Sequence, residues 1–348
     1  MERASRVTVG LLSGMHFLVD FLCAFAMYGV FLKGQDAGKA VLFYNFTAFA
    51  LQMPLGVLLD AYHKRRGGNG SLAFVAAGFL LTLAGSFFSV FIMGIGNALF
   101  HVGGGVWTIF EDDENEAGGK ALGVFVAPGA VGLFLGAHLA GTDDKTLVYV
   151  TAVLAAAVFI DLLVLRHRED AEPCKHENNS SGFAPEEGWP LVLAVSFMVV
   201  ILRSAAGMSM TFSWKNGFYA GLAAVLCIAA GKAAGGFAFS KGHRALIGVL
   251  SLGLAALCFA FPDSMVPGLC GLFFFNMTMP VTLYMLKEKM PDAPGLAFGI
   301  LTFGLFLGYL PVLTGILPKV NTAVIGPFAS MMSLALLLAA WMKEGKRK

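Results

Sequence analysis

Long apolar stretches separated by short polar loops repeat along the chain from end to end. A helix needs about 20 apolar residues to cross the hydrocarbon core of a bilayer. The pattern predicts twelve such helices, numbered here span 1 to span 12, over residues 7–32, 38–60, 70–87, 89–110, 119–140, 145–166, 188–209, 216–239, 243–262, 265–287, 294–316 and 320–342. The sequence therefore predicts an all-α membrane protein with twelve transmembrane helices.

Composition supports this interpretation and excludes other classes. Of the 348 residues 57% are hydrophobic and only 13% are charged, and the mean hydropathy is +0.75. A soluble globular protein does not have this composition, and the short loops leave no room for a soluble domain. The net charge of +2 gives no reason to expect nucleic acid. The cysteines show neither metal-ligand spacing nor a disulfide framework, so we expect no metal and no cofactor.

The spans divide into two sets of six. Residues 1–166 form the first half, residues 188–348 form the second, and residues 167–187 form a polar linker between them. A glycine-to-basic turn follows the second span of each half, at Gly56–Arg66 and again at Gly235–Arg244, which indicates an internal repeat. Most lysines and arginines fall in loops on the side of the amino terminus. This bias predicts a multi-pass protein of the cell (plasma) membrane with both termini cytoplasmic.

Two pairs of polar residues lie inside apolar spans at a spacing of four. His16 and Asp20 share one face of span 1, and Asn97 and His101 share one face of span 4. A carboxylate inside a span is costly and usually faces a bundle interior or a water-filled cavity. Histidine titrates near physiological pH, so Asp20, His16 and His101 are the candidate proton-coupling residues. The alternative is that His101 only makes a structural contact with a neighbouring helix.

Candidate substrate-binding residues lie mostly in the second half. Arg203 in span 7 does not neutralise readily and needs an anionic partner, a carbonyl cluster or a wet cavity. Lys232 in span 8 and Asn276 in span 10 join it, with Asn97 from the first half. Snorkelling of either cation to a membrane surface is the alternative interpretation.

The turn after span 2 contains Gly56, then Asp60 four residues later, then Lys64 and Arg65. It resembles the corresponding loop of the major facilitator superfamily, although Ala61 and His63 stand where that family usually has Arg and Gly. The resemblance implies a gate in which Asp60 meets the amino-terminal end of span 11. The alternative is an interfacial Asp followed by charges that only set the topology.

The motifs His-x-x-x-Asp in span 1 and Gly-x-Gly-x-x-x-Phe-His in span 4 resemble the fosmidomycin-resistance branch of that superfamily, whose known member is a drug exporter. Val102 replaces the Pro that commonly follows the span 4 histidine. The resemblance implies two six-helix halves with spans 1, 4, 7 and 10 around a central cavity. The candidates on those spans are His16, Asp20, Asn97, His101, Arg203 and Asn276.

These features predict a proton-coupled secondary transporter of a small organic anion that works by alternating access. Symport and antiport both fit, including a fosmidomycin-type drug/H⁺ antiporter. The competing hypothesis is an intramembrane enzyme that acts on a lipid-like substrate with His/Asp acid–base chemistry. The sequence has no nucleophile elbow and no metal cluster for it, so we expect no enzyme. A third hypothesis is a sensor that keeps the fold without transport.

The expected partners are the substrate, protons and the lipid bilayer, and the protein is expected to act as a monomer.

Overall fold

The computed structural model describes residues 3–34, 36–66, 70–115, 118–140, 144–171, 185–239 and 244–345. Within these ranges the chain forms twelve apolar helical spans, which confirms the predicted fold class. Eleven of them are long and apolar enough to cross a membrane, and Arg244–Phe259 is a shorter apolar helix.

The first six spans are arranged as follows. Span 1 is Arg3–Gly29, span 2 is Ala37–Asn45 continued by a π-helical turn at Phe46–Ala50 and by Gln52–Arg66, span 3 is Gly70–Phe88, span 4 is Val90–Glu114, span 5 is Lys120–Val126 and Gly129–Leu139, and span 6 is Asp144–Ala171. A short 3₁₀ turn, Phe31–Lys33, follows span 1.

The last six spans follow after residue 184. Span 7 is Trp189–Ser209, span 8 is Gly217–Phe239, span 9 is Arg244–Phe259, span 10 is Met265–Asn276 and Thr278–Lys289, span 11 is Pro294–Leu313, and span 12 is Thr322–Gly345. Two short strands, β1 (Met210–Thr211) and β2 (Val320–Asn321), pair in parallel beyond spans 7 and 11.

Span 6 extends further than the hydrophobic pattern predicted. The apolar run ends near Leu165, but the helix continues to Ala171, inside the predicted linker 167–187. A helix needs apolar residues only where it meets lipid, so hydropathy alone does not fix its end. Linker residues 172–184 and residues 240–243 of the predicted second glycine-to-basic turn lie outside the described residues.

Span 5 is broken at Ala127 and Pro128. Proline has no backbone N–H and its ring clashes with the carbonyl group of the preceding turn, so it interrupts a helix. The first segment ends at Val126 and the second begins at Gly129. The break makes backbone carbonyl groups in the middle of the bundle available to side chains of neighbouring spans.

Span 5 is held against spans 4 and 1. The Asp112 carboxylate at the end of span 4 accepts hydrogen bonds from the backbone N–H groups of Ala121 (2.8 Å) and Leu122 (2.9 Å). On the side facing span 1, a Cβ on Gly132 would collide with the carbonyl oxygen of Phe17. Small residues at such contacts let membrane helices approach closely, and this approach places the break of span 5 beside span 1.

Because the number of described spans is even, the start of span 1 and the end of span 12 lie on one face of the bundle, here called the terminal face. The other face is called the opposite face. The first and second halves meet at the terminal face. There a Cβ on Gly56 of span 2 would collide with the carbonyl group of Gly295 in span 11. Span 5 touches span 8 in the same way, where a Cβ on Gly123 would lie 2.9 Å from the Cα of Gly236. The terminal face is therefore closed between the halves.

Two clusters of buried apolar residues form the interior. The larger one is built by spans 1 to 6 and continues across the terminal-face contact to Leu286, Ala297 and Phe298 of the second half. The smaller one lies entirely within the second half, around Leu252, Phe259 and Leu337. Many large apolar side chains, such as those of Leu80 and Val153, are exposed on the outside of the bundle, as expected of a surface that meets lipid.

Candidate functional site

Three titratable side chains from two spans converge in the first half and are called here the His–Asp triad. Asp20 Oδ2 lies 3.2 Å from His16 Nε2, one helical turn away in span 1. His101 of span 4 places its Nε2 2.8 Å from His16 Nε2 and 3.6 Å from Asp20 Oδ1. His16 and Asp20 are 5% and 6% exposed, so these polar groups depend on one another for hydrogen bonds.

The hydrogen bonds of the two imidazoles define where their protons lie. His16 Nδ1 is 2.7 Å from the carbonyl oxygen of Phe125, and His101 Nδ1 is 2.8 Å from the carbonyl oxygen of Asn97. A carbonyl oxygen only accepts, so both Nδ1 atoms carry hydrogen. The 2.8 Å contact between the two Nε2 atoms is then a hydrogen bond only when one of them is also protonated. The geometry thus suits one additional proton, shared by the two imidazoles beside the Asp20 carboxylate.

The surroundings of the triad hold Asp20 in place. The Asn97 amide donates to Asp20 Oδ1 at 3.1 Å and lies 3.6 Å from the Cys23 sulfur. Gly129, just beyond the break of span 5, lies over the triad, and a Cβ there would be 2.5 Å from Asp20 Oδ2. The side-chain amide of Asn97, which was predicted as a substrate-binding residue, therefore forms a hydrogen bond with Asp20.

The His16, Asp20 and His101 side chains also form the one set of three or more His, Cys, Asp or Glu ligands that the described residues bring together, with ligand atoms within 4.8 Å of one another. Ligands of a tetrahedral zinc ion lie about 3.3 Å apart, given metal–ligand distances near 2.0 Å. The 2.8 Å separation of the two Nε2 atoms is shorter than that and suits a shared proton better.

The triad lines a cavity of about 500 Å³ between the two halves. The cavity extends to the opposite face, where the exposed residues Met208 and Lys215 line its rim. Although Lys215 is exposed at the rim, its partial enclosure there lowers the pKa of its ammonium group, and the neighbouring charge of Lys319 lowers it further. Sequence reasoning missed Lys215, whose position in a loop after span 7 was consistent with a simple surface lysine.

Two cations of the second half, called here the cation pair, also line the cavity. Arg203 is 7% exposed, and its Nη1 has no hydrogen-bond partner among the described residues. Lys232 donates to the carbonyl oxygen of Val126 at 3.3 Å. Both side chains line the cavity, so neither snorkels to a membrane surface. Asn276 also lines it, with its amide donating to the carbonyl oxygen of Leu272 at 2.8 Å.

The break of span 5 joins the triad to the cation pair. Phe125 and Val126 are consecutive, and their carbonyl oxygens accept hydrogen bonds from His16 and Lys232 respectively. Sequence reasoning did not assign these backbone groups to the site. Pro128 was the available signal, because a proline inside an apolar run leaves carbonyl groups of the preceding turn without their helical partner.

At the terminal face Asp60 joins the two halves. Its carboxylate accepts hydrogen bonds from the backbone N–H groups of Gly295 and Leu296, both at 2.8 Å, at the amino-terminal end of span 11. This end of a helix carries partial positive charge and unpaired N–H groups, which suit a carboxylate. Lys64 lies close enough to influence Asp60 electrostatically, and Arg65 is exposed beyond the contact.

A second ionic contact between the halves escaped the sequence reasoning. Lys287 of span 10 pairs with Asp113 at the end of span 4. Another pair lies within the second half, where Arg244 binds Glu288 through two hydrogen bonds of 2.5 and 2.7 Å. Charges at span ends usually only set topology, so their positions along the chain offered no reason to pair them.

The comparisons with known proteins agree on one fold. A family model described as the Major Facilitator Superfamily matches residues 9–313. No curated protein sequence matches the chain. Among solved structures, FucP, described as a Major Facilitator Superfamily transporter in the outward conformation, is similar with a TM-score of 0.66 and 14% identity, over 97% of this chain and 98% of that one.

Two further solved structures are similar over nearly the full length. A variant of the E. coli fucose:proton symporter FucP has a TM-score of 0.61 at 14% identity, over 97% of this chain and 98% of that one. The human organic anion transporter MFSD10 has a TM-score of 0.58 at 13% identity, over 98% and 99%. At these identities the likeness concerns the fold.

Proposed function

Because this chain belongs to the Major Facilitator Superfamily, whose members are transporters rather than enzymes, we propose that it is a proton-coupled secondary transporter of a small organic anion. The observation that supports this proposal is the cavity between the two halves. The first half contributes the His–Asp triad to its lining, and the second half contributes the cation pair. A proton site and an anion site thus face the same volume, which is what coupling of their movements requires.

The triad is proposed to bind the coupling proton. With a proton shared between the imidazoles of His16 and His101, the Asp20 carboxylate is balanced by one positive charge. Loss of that proton leaves the carboxylate without its counter-charge. Closing the cavity from water is more costly around an uncompensated charge, so the proton influences which conformations are accessible.

Alternating access is proposed to work by rocking of the two six-span halves around the cavity. The terminal face is closed by the contact of Asp60 with span 11, supported by Gly56, whereas the cavity reaches the opposite face. The terminal face is the cytoplasmic one in this proposal, so the conformation described is outward-facing. Lys64 and Arg65 are proposed to belong to the same gate, and the protein is proposed to act as a monomer in the plasma membrane.

The fold neighbours are compatible with this proposal. One is described as a fucose:proton symporter and another as an organic anion transporter, so this fold serves both proton coupling and anion transport. The triad is compatible with uptake by symport and with export by antiport. Fosmidomycin-type drug export is the antiport version, and it predicts that expression protects cells from the drug.

The test uses purified protein in proteoliposomes, with a pH-sensitive dye inside and a panel of small organic anions outside. Asp20→Asn is expected to abolish anion accumulation driven by a pH jump while keeping anion counterflow at equal pH. Asp36→Asn is the matched control, because this carboxylate is exposed on the opposite face and pairs with Lys39. Full pH-driven accumulation by Asp20→Asn would refute the coupling site, and chemical conversion of the anion would favour the enzyme hypothesis.

A further inference from the structure

The cation pair brings two positive charges into a cavity whose described lining holds one carboxylate, that of Asp20. Arg203 forms no ion pair with Asp20 or with any other carboxylate among the described residues. Lys232 donates to a neutral carbonyl oxygen, that of Val126. The two cations line the same cavity and repel each other, while the Asp20 carboxylate attracts Lys232. Two like charges that share one carboxylate favour the binding of an anion from outside the chain.

The carboxylate of the cavity is already engaged. Of the described residues that line the cavity, Asp20 is the one carboxylic acid, and it contacts His16, His101 and Asn97. The triad with its shared proton is close to neutral by itself. The charge left in the middle of the cavity is then that of Arg203 and Lys232, with a further positive charge on Lys215 at the rim.

We propose that the substrate carries two negative charges on one compact group, which binds between Arg203 and Lys232. This inference rests on the transport function proposed above. While the cavity is open, water solvates both cations. When it closes, that water leaves, and a single negative charge would leave one buried cation uncompensated. A doubly charged group gives each cation a partner, with the Arg203 guanidinium able to bind two oxygen atoms at once.

The apolar part of the cavity lining indicates the chemistry of the rest of the ligand. Beyond the charged groups, the lining includes Phe49, Leu133, Ile228, Phe275 and Phe298. Apolar walls of this kind bury the carbon skeleton of a ligand, while a few polar groups orient it. The substrate class is therefore a small organic dianion, with a charged head and an apolar body.

The test compares two tetrahedral anions that differ by one charge, sulfate and methyl sulfate, at equal ionic strength. Binding to the detergent-purified protein is measured by titration of its thermal unfolding temperature. The wild-type protein is expected to bind sulfate about tenfold more tightly than methyl sulfate, as one additional charge-assisted contact would give. Lys232→Gln should bring the two affinities close together, and Arg203→Gln should weaken both.

The control variant is Lys39→Gln, which removes an exposed cation of the opposite face that does not line the cavity. Equal affinity of the wild-type protein for the two anions would overturn the inference, and this comparison needs no variant to fold. A sulfate effect unchanged in Arg203→Gln and Lys232→Gln would show an adventitious ion only and would overturn it as well. The assay involves no gradient and no flux, so its outcome is independent of the proton-coupling test.

Discussion

The contact of Asp60 with span 11 permits a quantitative prediction for Asp60→Asn. Two backbone N–H groups donate to the carboxylate, each at 2.8 Å. An amide offers one acceptor oxygen and turns its NH₂ group toward the second N–H, so one bond and the charge are lost. A hydrogen bond to a charged group contributes about 1.5–3 kcal/mol, and the helix end adds about 0.3–1 kcal/mol.

This loss acts mainly on one conformation. The bonds join span 2 to span 11 and must break when the terminal face opens, so they stabilise the closed terminal face alone. A change of about 2–4 kcal/mol would raise the open-to-closed ratio roughly thirty- to several-hundredfold. Asp60→Asn should therefore populate the conformation that opens to the terminal face.

Hydrogen–deuterium exchange read by mass spectrometry measures this shift. Exchange around Gly295 would rise through the local loss of the bonds alone, so the decisive peptides are those that cover Gly123 and Gly236. These glycines meet at a separate contact of the terminal face and should exchange faster in the variant. Asp36→Asn is the control, because it makes the same chemical change on the opposite face. An increase confined to the neighbourhood of Gly295 would refute the reasoning.

Three further variants test other parts of the site. Pro128→Ala should let span 5 continue as a helix and draw its carbonyl groups into the regular ladder, so pH-driven flux should fall while the melting temperature is kept or rises. Arg203→Leu removes a buried unpaired N–H and should raise the free energy of unfolding by about 1–3 kcal/mol, measured by denaturation in detergent, while anion binding is lost. The pKa of Lys215 is lowered by partial enclosure and by Lys319, so its positive charge disappears at lower pH than that of an ordinary lysine. The KM for an anion presented at the opposite face should then rise toward alkaline pH, and Lys215→Gln should remove that rise.

The sequence was sufficient for the fold because hydropathy records contact with lipid directly. Twelve apolar runs correspond to twelve spans, and differences concern their ends, as in span 6. The polar pairs of spans 1 and 4 could be recognised because a charge inside a span is costly and a spacing of four places side chains on one helix face. That argument gives the depth of His16, Asp20 and His101, and it says nothing about the 2.8 Å contact between two of them.

Partners that depend on packing could not be predicted. Asn97 was predicted as a substrate ligand, and this role stays a prediction because the residue lines the cavity. Spacing along the chain could not reveal that its amide donates to Asp20. Its neighbour Asp20 comes from another span, and only the close approach of spans 1 and 4 brings the two within 3.1 Å. The pair of Asp113 and Lys287 escaped notice for the same reason, since 174 residues separate its members along the chain.

The break of span 5 connects the His–Asp triad and the cation pair, so that a change at one can affect the other. His16 forms a hydrogen bond with the carbonyl oxygen of Phe125, and Lys232 donates a hydrogen bond to that of the next residue, Val126. The two peptide groups are joined through the Cα of Val126 and can rotate about its φ and ψ angles, so a change in the bond at His16 can reach the acceptor at Lys232 only through that one residue. Pro128 lacks the N–H group that would bond the carbonyl oxygen of Val124, and the helix is interrupted between Val126 and Gly129. We expect the protonation state of the triad to influence Lys232 through these two adjacent carbonyl groups, at a point where the first half contacts the second.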